Sequence, residues 1–178
     1  MELWLVRHGE TLWNREGRLL GWTDLPLSAT GEAQARALKG LLPALPAHSS
    51  DLRRALRTAA LAGFCPRATP ALREIHFGAL EGALWEGLDP AQKEALLRFE
   101  GFHAPDGESL DAFQERVLRF LEGLKAPSLL FTHGGVIRAV LRALGEDGLV
   151  PPGSVVVVDW PRRVVERIHP SPPEPPAS

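Results

Sequence analysis

Leu3-Trp4-Leu5-Val6-Arg7-His8-Gly9-Glu10 is an apolar run that stops at a charged, glycine-containing turn. A short apolar run bounded by a turn signal predicts a buried strand, here over 2–7. The same pattern recurs late in the chain as Ser128-Leu129-Leu130-Phe131-Thr132-His133-Gly134-Gly135. There a buried strand over 128–132 leads into a helix from Val136 to Leu144, ended by Gly145. A third case lies between them. An extended stretch over 45–50 ends in Ser49-Ser50-Asp51 and opens a helix from Leu52 to Leu61 that carries Arg53 and Arg54.

The rest of the chain alternates in the same way. Ser28 is the expected N-cap of a helix over 29–42, with Glu32 in its first turn. Residues 68–73 are expected to be extended. Two amphipathic helices are expected over 90–99 and 109–123. Ser109 caps the second, which places Phe113, Val117, Phe120 and Leu121 on one face. Strands over 154–160 and 163–168 form a hairpin with Pro161 in its turn. This alternation predicts an α/β fold, a mostly parallel sheet with helices on both faces. Residues 1–169 are expected to form one domain, and the Pro-rich stretch 170–178 a disordered tail.

Composition narrows the function. The chain has 178 residues and a formal net charge of −2, without the basic surplus of a nucleic-acid binder. A few local cations can still hold an anionic metabolite. Cys65 is the only cysteine, so neither a disulfide framework nor a cysteine-rich zinc site can form. No segment is apolar for long enough to span a membrane, and the first residues do not resemble a signal peptide. The expected location is cytoplasmic, with no membrane or nucleic-acid partner. Arginine far outnumbers lysine, Asn14 is the only asparagine and Met1 the only methionine, which suits a heat-adapted, thermostable protein and equally a GC-rich genome.

In open α/β sheets, ligands bind beyond the carboxyl ends of strands, where helix N-termini point into the crevice. Both strand–His–Gly units therefore deliver a histidine to the same sheet edge, with arginines nearby. Phosphoryl transfer needs that setting. The charge of the moving group spreads over three oxygens, and arginine presents a planar fork to them. A neutral imidazole can attack phosphorus when one nitrogen is pinned as a donor and the other is free. A carboxylic acid must then protonate the leaving oxygen. Other routes are poorly served: there is no Gly-Lys-Ser/Thr phosphate loop and no His-Glu-x-x-His metal site.

Residues 3–14, ending Arg7-His8-Gly9-Glu10-Thr11-Leu12-Trp13-Asn14, resemble the signature of the histidine phosphatase superfamily, the phosphoglycerate mutase-like proteins. The resemblance continues in order. It runs through Gly21, Asp24-Leu25-Pro26-Leu27-Ser28 and Gly31, then Ser50-Asp51-Leu52-Arg53-Arg54-Ala55 and Leu72-Arg73-Glu74-Ile75-His76-Phe77-Gly78. Glu81-Gly82, Pro105-Asp106-Gly107-Glu108-Ser109 and Phe131-Thr132-His133-Gly134-Gly135 complete it. It covers the chain to about residue 160 and implies a three-layer α/β/α sandwich with a mostly parallel mixed sheet.

The resemblance also implies roles. His8 would be the nucleophile that becomes phosphorylated. Arg7 and Arg54 would hold the phosphate, His133 would donate to its oxygens, and Glu74 would be the general acid and base. Asn14 and the backbone at Gly21 and Gly134 would complete the substrate pocket. No metal or other cofactor is implied. Leu20 stands where relatives often carry glutamine. Glu81, Glu86 and Glu108 are rivals to Glu74 as the acid, and Asn14 can equally cap a turn. Arg53 and Arg57 are expected to be solvated, and His48, His76, His103 and His169 to be structural or exposed. Trp22, Trp85, Phe99 and Phe102 are expected either in the pocket or in the core.

The expected substrate is a small phosphorylated metabolite, acted on by a monomer or homodimer. Only about two dozen residues separate Gly82 from Pro105, a short cap that leaves the site open to water. That favours a phosphatase. The run from Arg7 to Ala35 most resembles the α-ribazole-5′-phosphate phosphatases of cobalamin biosynthesis. Phosphoglycerate mutase activity, a broad sugar-phosphate phosphatase and an inactive binding module are the alternatives.

Overall fold

The computed structural model describes residues 1–170, and the stretch 171–178 of the expected tail lies outside them. Six strands form one sheet in the order β3-β2-β4-β1-β5-β6. They are β1 (Glu2–Arg7), β2 (Ala47–Ser50), β3 (Arg67–Thr69), β4 (Ser128–Thr132), β5 (Val155–Asp159) and β6 (Arg163–Ile168). β1 to β4 run parallel to one another, whereas β5 is antiparallel to both β1 and β6. The helices are α1 (Leu12–Glu16), α2 (Ala29–Arg36), α3 (Arg53–Leu61), α4 (Pro90–Arg98), α5 (Leu110–Glu122) and α6 (Gly134–Ala143).

Strand alternation builds the layers. Leu3, Leu5, Leu130, Val156 and Val158 turn to one face, where they meet Phe113, Val117 and Leu121 of α5 and Ile137, Val140 and Leu141 of α6. Val6, Leu129, Phe131, Val155 and Val157 turn to the other, against Leu38 and against Ala59 and Ala62 at the end of α3. The result is helices on both faces of a mixed sheet. β4 is buried along its whole length, as its apolar run requires of a central strand. The edges carry the short β3 and the charge-rich β6, both poor templates for further pairing.

Several boundaries differ from expectation. The helix expected over 29–42 ends at Arg36. Beyond it Leu38, Lys39 and Leu41 donate to carbonyls three residues back, so the chain tightens into turns that end at Gly40, with φ +86°. The extended stretch expected over 68–73 is a three-residue strand followed by a single 3-10 turn at Pro70–Leu72. Thr69 caps that turn and Pro70 takes its first position. The helix expected from Val136 begins at Gly134, because His133 is its N-cap residue. Helix α1 is absent from the sequence expectation. It has five residues, too short for periodicity to reveal, and is held by the reciprocal bonds of Thr11 and Asn14.

Candidate active site

Three parallel strand ends lie side by side, β2, β4 and β1. The register pairs Arg7 with Thr132, and the His8 N–H donates to the Thr132 carbonyl at 3.0 Å. His8 and His133 therefore leave adjacent strands at the same height, their rings edge to face with centroids 5.0 Å apart. On the far side of β4, Ser50 ends β2 and its Oγ lies 2.8 Å from His133 Nε2.

The surroundings set the state of each ring. His8 is 3% exposed and its Nδ1 lies 2.7 Å from the Gly9 carbonyl oxygen, an acceptor only. Nδ1 must therefore carry the proton, leaving the Nε2 lone pair free. Burial, reinforced by the charges of Arg54 and Arg7, holds the His8 pKa well below the ordinary 6.5, so the ring is neutral at pH 7. The same causes depress His133, whose Nδ1 is buried without a partner. Ser50 Oγ already accepts from the Leu52 N–H, so its own proton can go to His133 Nε2. In that tautomer His133 presents Nδ1–H as an unused donor.

Two guanidinium groups face this pair. Arg54, in the first turn of α3, is fully buried, with its terminal nitrogens on the Gly21 and Thr23 carbonyls and its Nε unpartnered. Burial lowers its pKa to about 10, which still leaves it charged at pH 7. Thr58, one turn further along α3, accepts from the Gly9 N–H and donates to the Arg54 carbonyl, docking the helix beneath His8. Arg7 bonds the Val150 carbonyl, and its Nε is likewise buried and unpartnered. Its guanidinium lies over Gly134, where an added Cβ would come within 3.1 Å of the guanidinium carbon. An added Cβ at Gly135 would stand 2.2 Å from a Glu74 oxygen, so Gly135 is favoured by close approach, whereas at Gly134 a methyl would press on the guanidinium by only a few tenths of an ångström. Two cationic Nε groups and His133 Nδ1 are thus buried without partners, groups whose burial an anion would offset.

Glu74 borders the cluster. Its carboxylate accepts from the Gly135 and Ile75 N–H groups at 2.9 and 3.1 Å. Burial raises its pKa above the ordinary value, opposed by these two donors and by Arg7 and Arg54. The backbone is pinned too: the Glu74 carbonyl accepts from Trp22 Nε1 and from Arg116. The rival carboxylates are committed elsewhere. Glu81 accepts from the Gly21 and Trp22 N–H groups and the Thr23 hydroxyl. Glu108 pairs with Arg116 and accepts from the His76 N–H. Glu86 is 89% exposed.

The other expected residues sort cleanly. Asn14 Oδ1 accepts from the Thr11 N–H, so it caps α1, and the residue also lines the adjoining cavity. Gly21 enters differently from expectation. Its N–H belongs to Glu81 and its carbonyl to Arg54, which makes it a support of the arginine. Arg53 is exposed beside Asp24, and Arg57 is exposed beside Glu32. Trp85 and Phe99 line the cavity, whereas Phe102 is in the core and Trp22 packs on His76. Ser50, Glu81, Thr58 and Arg116 were not anticipated as supports. Ser50 and Glu81 stand in the motif blocks, Arg116 in none of them, and nothing local in the sequence names their partners.

The profile of the histidine phosphatase superfamily (branch 1) matches residues 3–158. The chain belongs to this superfamily. A metal-independent phosphoserine phosphatase of Arabidopsis thaliana is 35% identical over 158 residues, 78% of this chain and 66% of the plant protein, so the chain spans about two thirds of that relative. A 2,3-bisphosphoglycerate-dependent phosphoglycerate mutase of Gloeobacter violaceus is 36% identical, over 83% of this chain and 76% of the relative. Among solved structures, a phosphoglycerate mutase from Thermus thermophilus superposes with a TM-score of 0.94 at 82% identity, covering 95% of this chain and 99% of that one. Members of the superfamily are phosphatases or mutases, and both kinds of name occur among these relatives. Among the described residues no helix is long and apolar enough to cross a membrane.

Proposed function

We propose that this histidine phosphatase superfamily member hydrolyses a small phosphate monoester through a phosphohistidine at His8, without a metal. The observation that carries this is the Nδ1–Gly9 carbonyl bond, which leaves a neutral His8 with its Nε2 free beside two desolvated guanidinium groups. In the first step Nε2 forms a bond to phosphorus as the ester P–O bond breaks. Glu74, protonated in the substrate complex, gives its proton to the departing alkoxide. In the second step Glu74 takes a proton from water, whose oxygen bonds phosphorus as the His8–phosphorus bond breaks. Inorganic phosphate leaves and His8 returns to its starting state. Arg7, Arg54 and the His133 Nδ1–H bind the three equatorial oxygens throughout. These cations supply the charge stabilisation that a metal would otherwise bring.

Hydrolysis is preferred over mutase chemistry because the segment between Gly82 and Pro105 holds only a 3-10 turn and the nine-residue α4, a small cover over the site. The mutase names among the relatives support the alternative, return of the phosphoryl group to a second hydroxyl. Of particular substrates, α-ribazole 5′-phosphate is our specific reading, with sugar phosphates second. We further propose action in the cytoplasm. The test is phosphate release from p-nitrophenyl phosphate in EDTA, followed by a quench with phosphorus-labelled ester. Acid-labile, base-stable label on His8, lost in His8→Ala, is expected. Label on serine, or activity that requires added magnesium, would overturn the mechanism.

A further inference from the structure

We propose that the cavity beside the histidine pair is a subsite for an uncharged, apolar leaving group. The preferred substrates would then be phosphate monoesters of aryl or bulky alkyl alcohols, and not of hydroxy acids or amino acids. This rests on the phosphate-ester reading above and narrows it, placing esters of apolar alcohols ahead of the sugar phosphates named there.

The cavity, about 390 Å³, begins at Arg7, Glu74 and Gly134 and extends away from the sheet beneath α4. Its size falls within the range of about 300–1,000 Å³ typical of small-molecule pockets. Beyond Glu74 its walls are apolar, with Leu19, Ile75, Trp85 and Phe99 among them. Leu97 and Leu149 also border it, and they are 63% and 69% exposed. The greasy lining thus continues out to the solvent. Glu74 lines this cavity and accepts from the N–H of Gly135, two residues after His133, so an ester oxygen that meets the acid lays the alcohol's carbon skeleton against the apolar walls.

Of the cations along the cavity, Arg138 is fully committed and the half-exposed Arg18 is partly so. Arg138 donates to both oxygens of Asp147 and to the Leu96 and Leu97 carbonyls, and its guanidinium covers the Phe99 ring at 4.7 Å. Arg18 donates to the Gly82 carbonyl and lies 3.4 Å from Glu16. Arg7 faces the phosphate site. Asn14 offers only a neutral amide. A carboxylate on the alcohol would lose water against the apolar walls with only the half-exposed Arg18 at hand, whereas an aryl or alkyl group would gain from leaving water.

Two measurements on the intact protein test this. The first compares kcat/KM for benzyl phosphate and 2-phenylethyl phosphate with that for phosphoserine and 3-phosphoglycerate, and an advantage of about tenfold or more for the apolar esters is expected. The second uses calorimetry to compare binding of benzylphosphonate with 2-amino-4-phosphonobutyrate, which needs no turnover; the benzyl compound should bind more tightly. The rim variant Leu97→Ser/Leu149→Ser changes exposed side chains and should keep the fold. It should raise KM for benzyl phosphate about fivefold and leave inhibition by inorganic phosphate unchanged. Carboxylated ligands that match the apolar ones in turnover and binding would overturn the subsite and leave the phosphatase reading standing. Preferential benzylphosphonate binding with no ester hydrolysed would support the subsite and overturn the phosphatase reading. Failure of both phosphonates to bind would overturn both. A rim variant indistinguishable from wild type would overturn the assignment of Leu97 and Leu149.

Discussion

Ser50 Oγ and His133 Nε2 lie 2.8 Å apart, although 83 positions separate them in the chain. The Leu52 N–H donates to the same Oγ, which leaves the serine proton free to point at the imidazole. In that arrangement Nδ1 of His133 carries the ring proton.

Ser50→Ala should therefore lower kcat by about 10–100-fold, somewhat less than removing an oxyanion donor outright. Ser50→Thr, which keeps the hydroxyl, should restore part of the loss. Steady-state kinetics with thermal denaturation run alongside checks this. A kcat equal to wild type in Ser50→Ala would show that His133 holds its tautomer without the serine.

Glu74 should act as a general acid whose need depends on the leaving group. Glu74→Gln should slow hydrolysis of alkyl phosphates by about 10²–10⁴-fold and affect p-nitrophenyl phosphate much less, since p-nitrophenolate departs without a proton. The pH dependence has a definite sign. His8 must be neutral to attack, and its pKa is depressed, so the acid limb of kcat/KM lies below pH 6.5. Glu74 must hold a proton for alkyl esters. Its pKa is raised by burial, so their rate should fall as pH rises through the Glu74 pKa of the complex. Glu74→Gln should remove that alkaline limb. Equal losses on both kinds of ester would make Glu74 an organiser of the site.

Glu81 should act only through Arg54. Its carboxylate gathers the Gly21 and Trp22 N–H groups and the Thr23 hydroxyl, and this aims the carbonyls of Gly21 and Thr23 at the guanidinium. Hydrogen bonds to a charged acceptor contribute about 1.5–3 kcal/mol each. Glu81→Gln should lower stability by about 1–3 kcal/mol and weaken inhibition by inorganic phosphate about tenfold. The ratio of alkyl to p-nitrophenyl activity should stay as in wild type. A changed ratio would mean that Glu81, and not Glu74, handles the proton.

Most of the strands and helices and the two strand–His–Gly units are legible in the sequence. Those depend on local periodicity and on turn chemistry within a few residues. The resemblance to the superfamily motif picked Arg54 over Arg53, and the structure buries the first and exposes the second. The very short α1 and the early end of α2 escaped, because five residues carry no period and tight turns have the same composition as a helix end. Tertiary structure alone decided the rest. Placing β4 between β1 and β2 is a long-range pairing that no local pattern specifies, yet it is what puts Ser50, His133 and His8 in one row. The choice among Glu74, Glu81 and Glu108 is also non-local. All three are glutamates in resembling motifs, and they differ only in which backbone donors and arginines the fold brings to each. Glu74 alone borders both the buried cations and the apolar cavity.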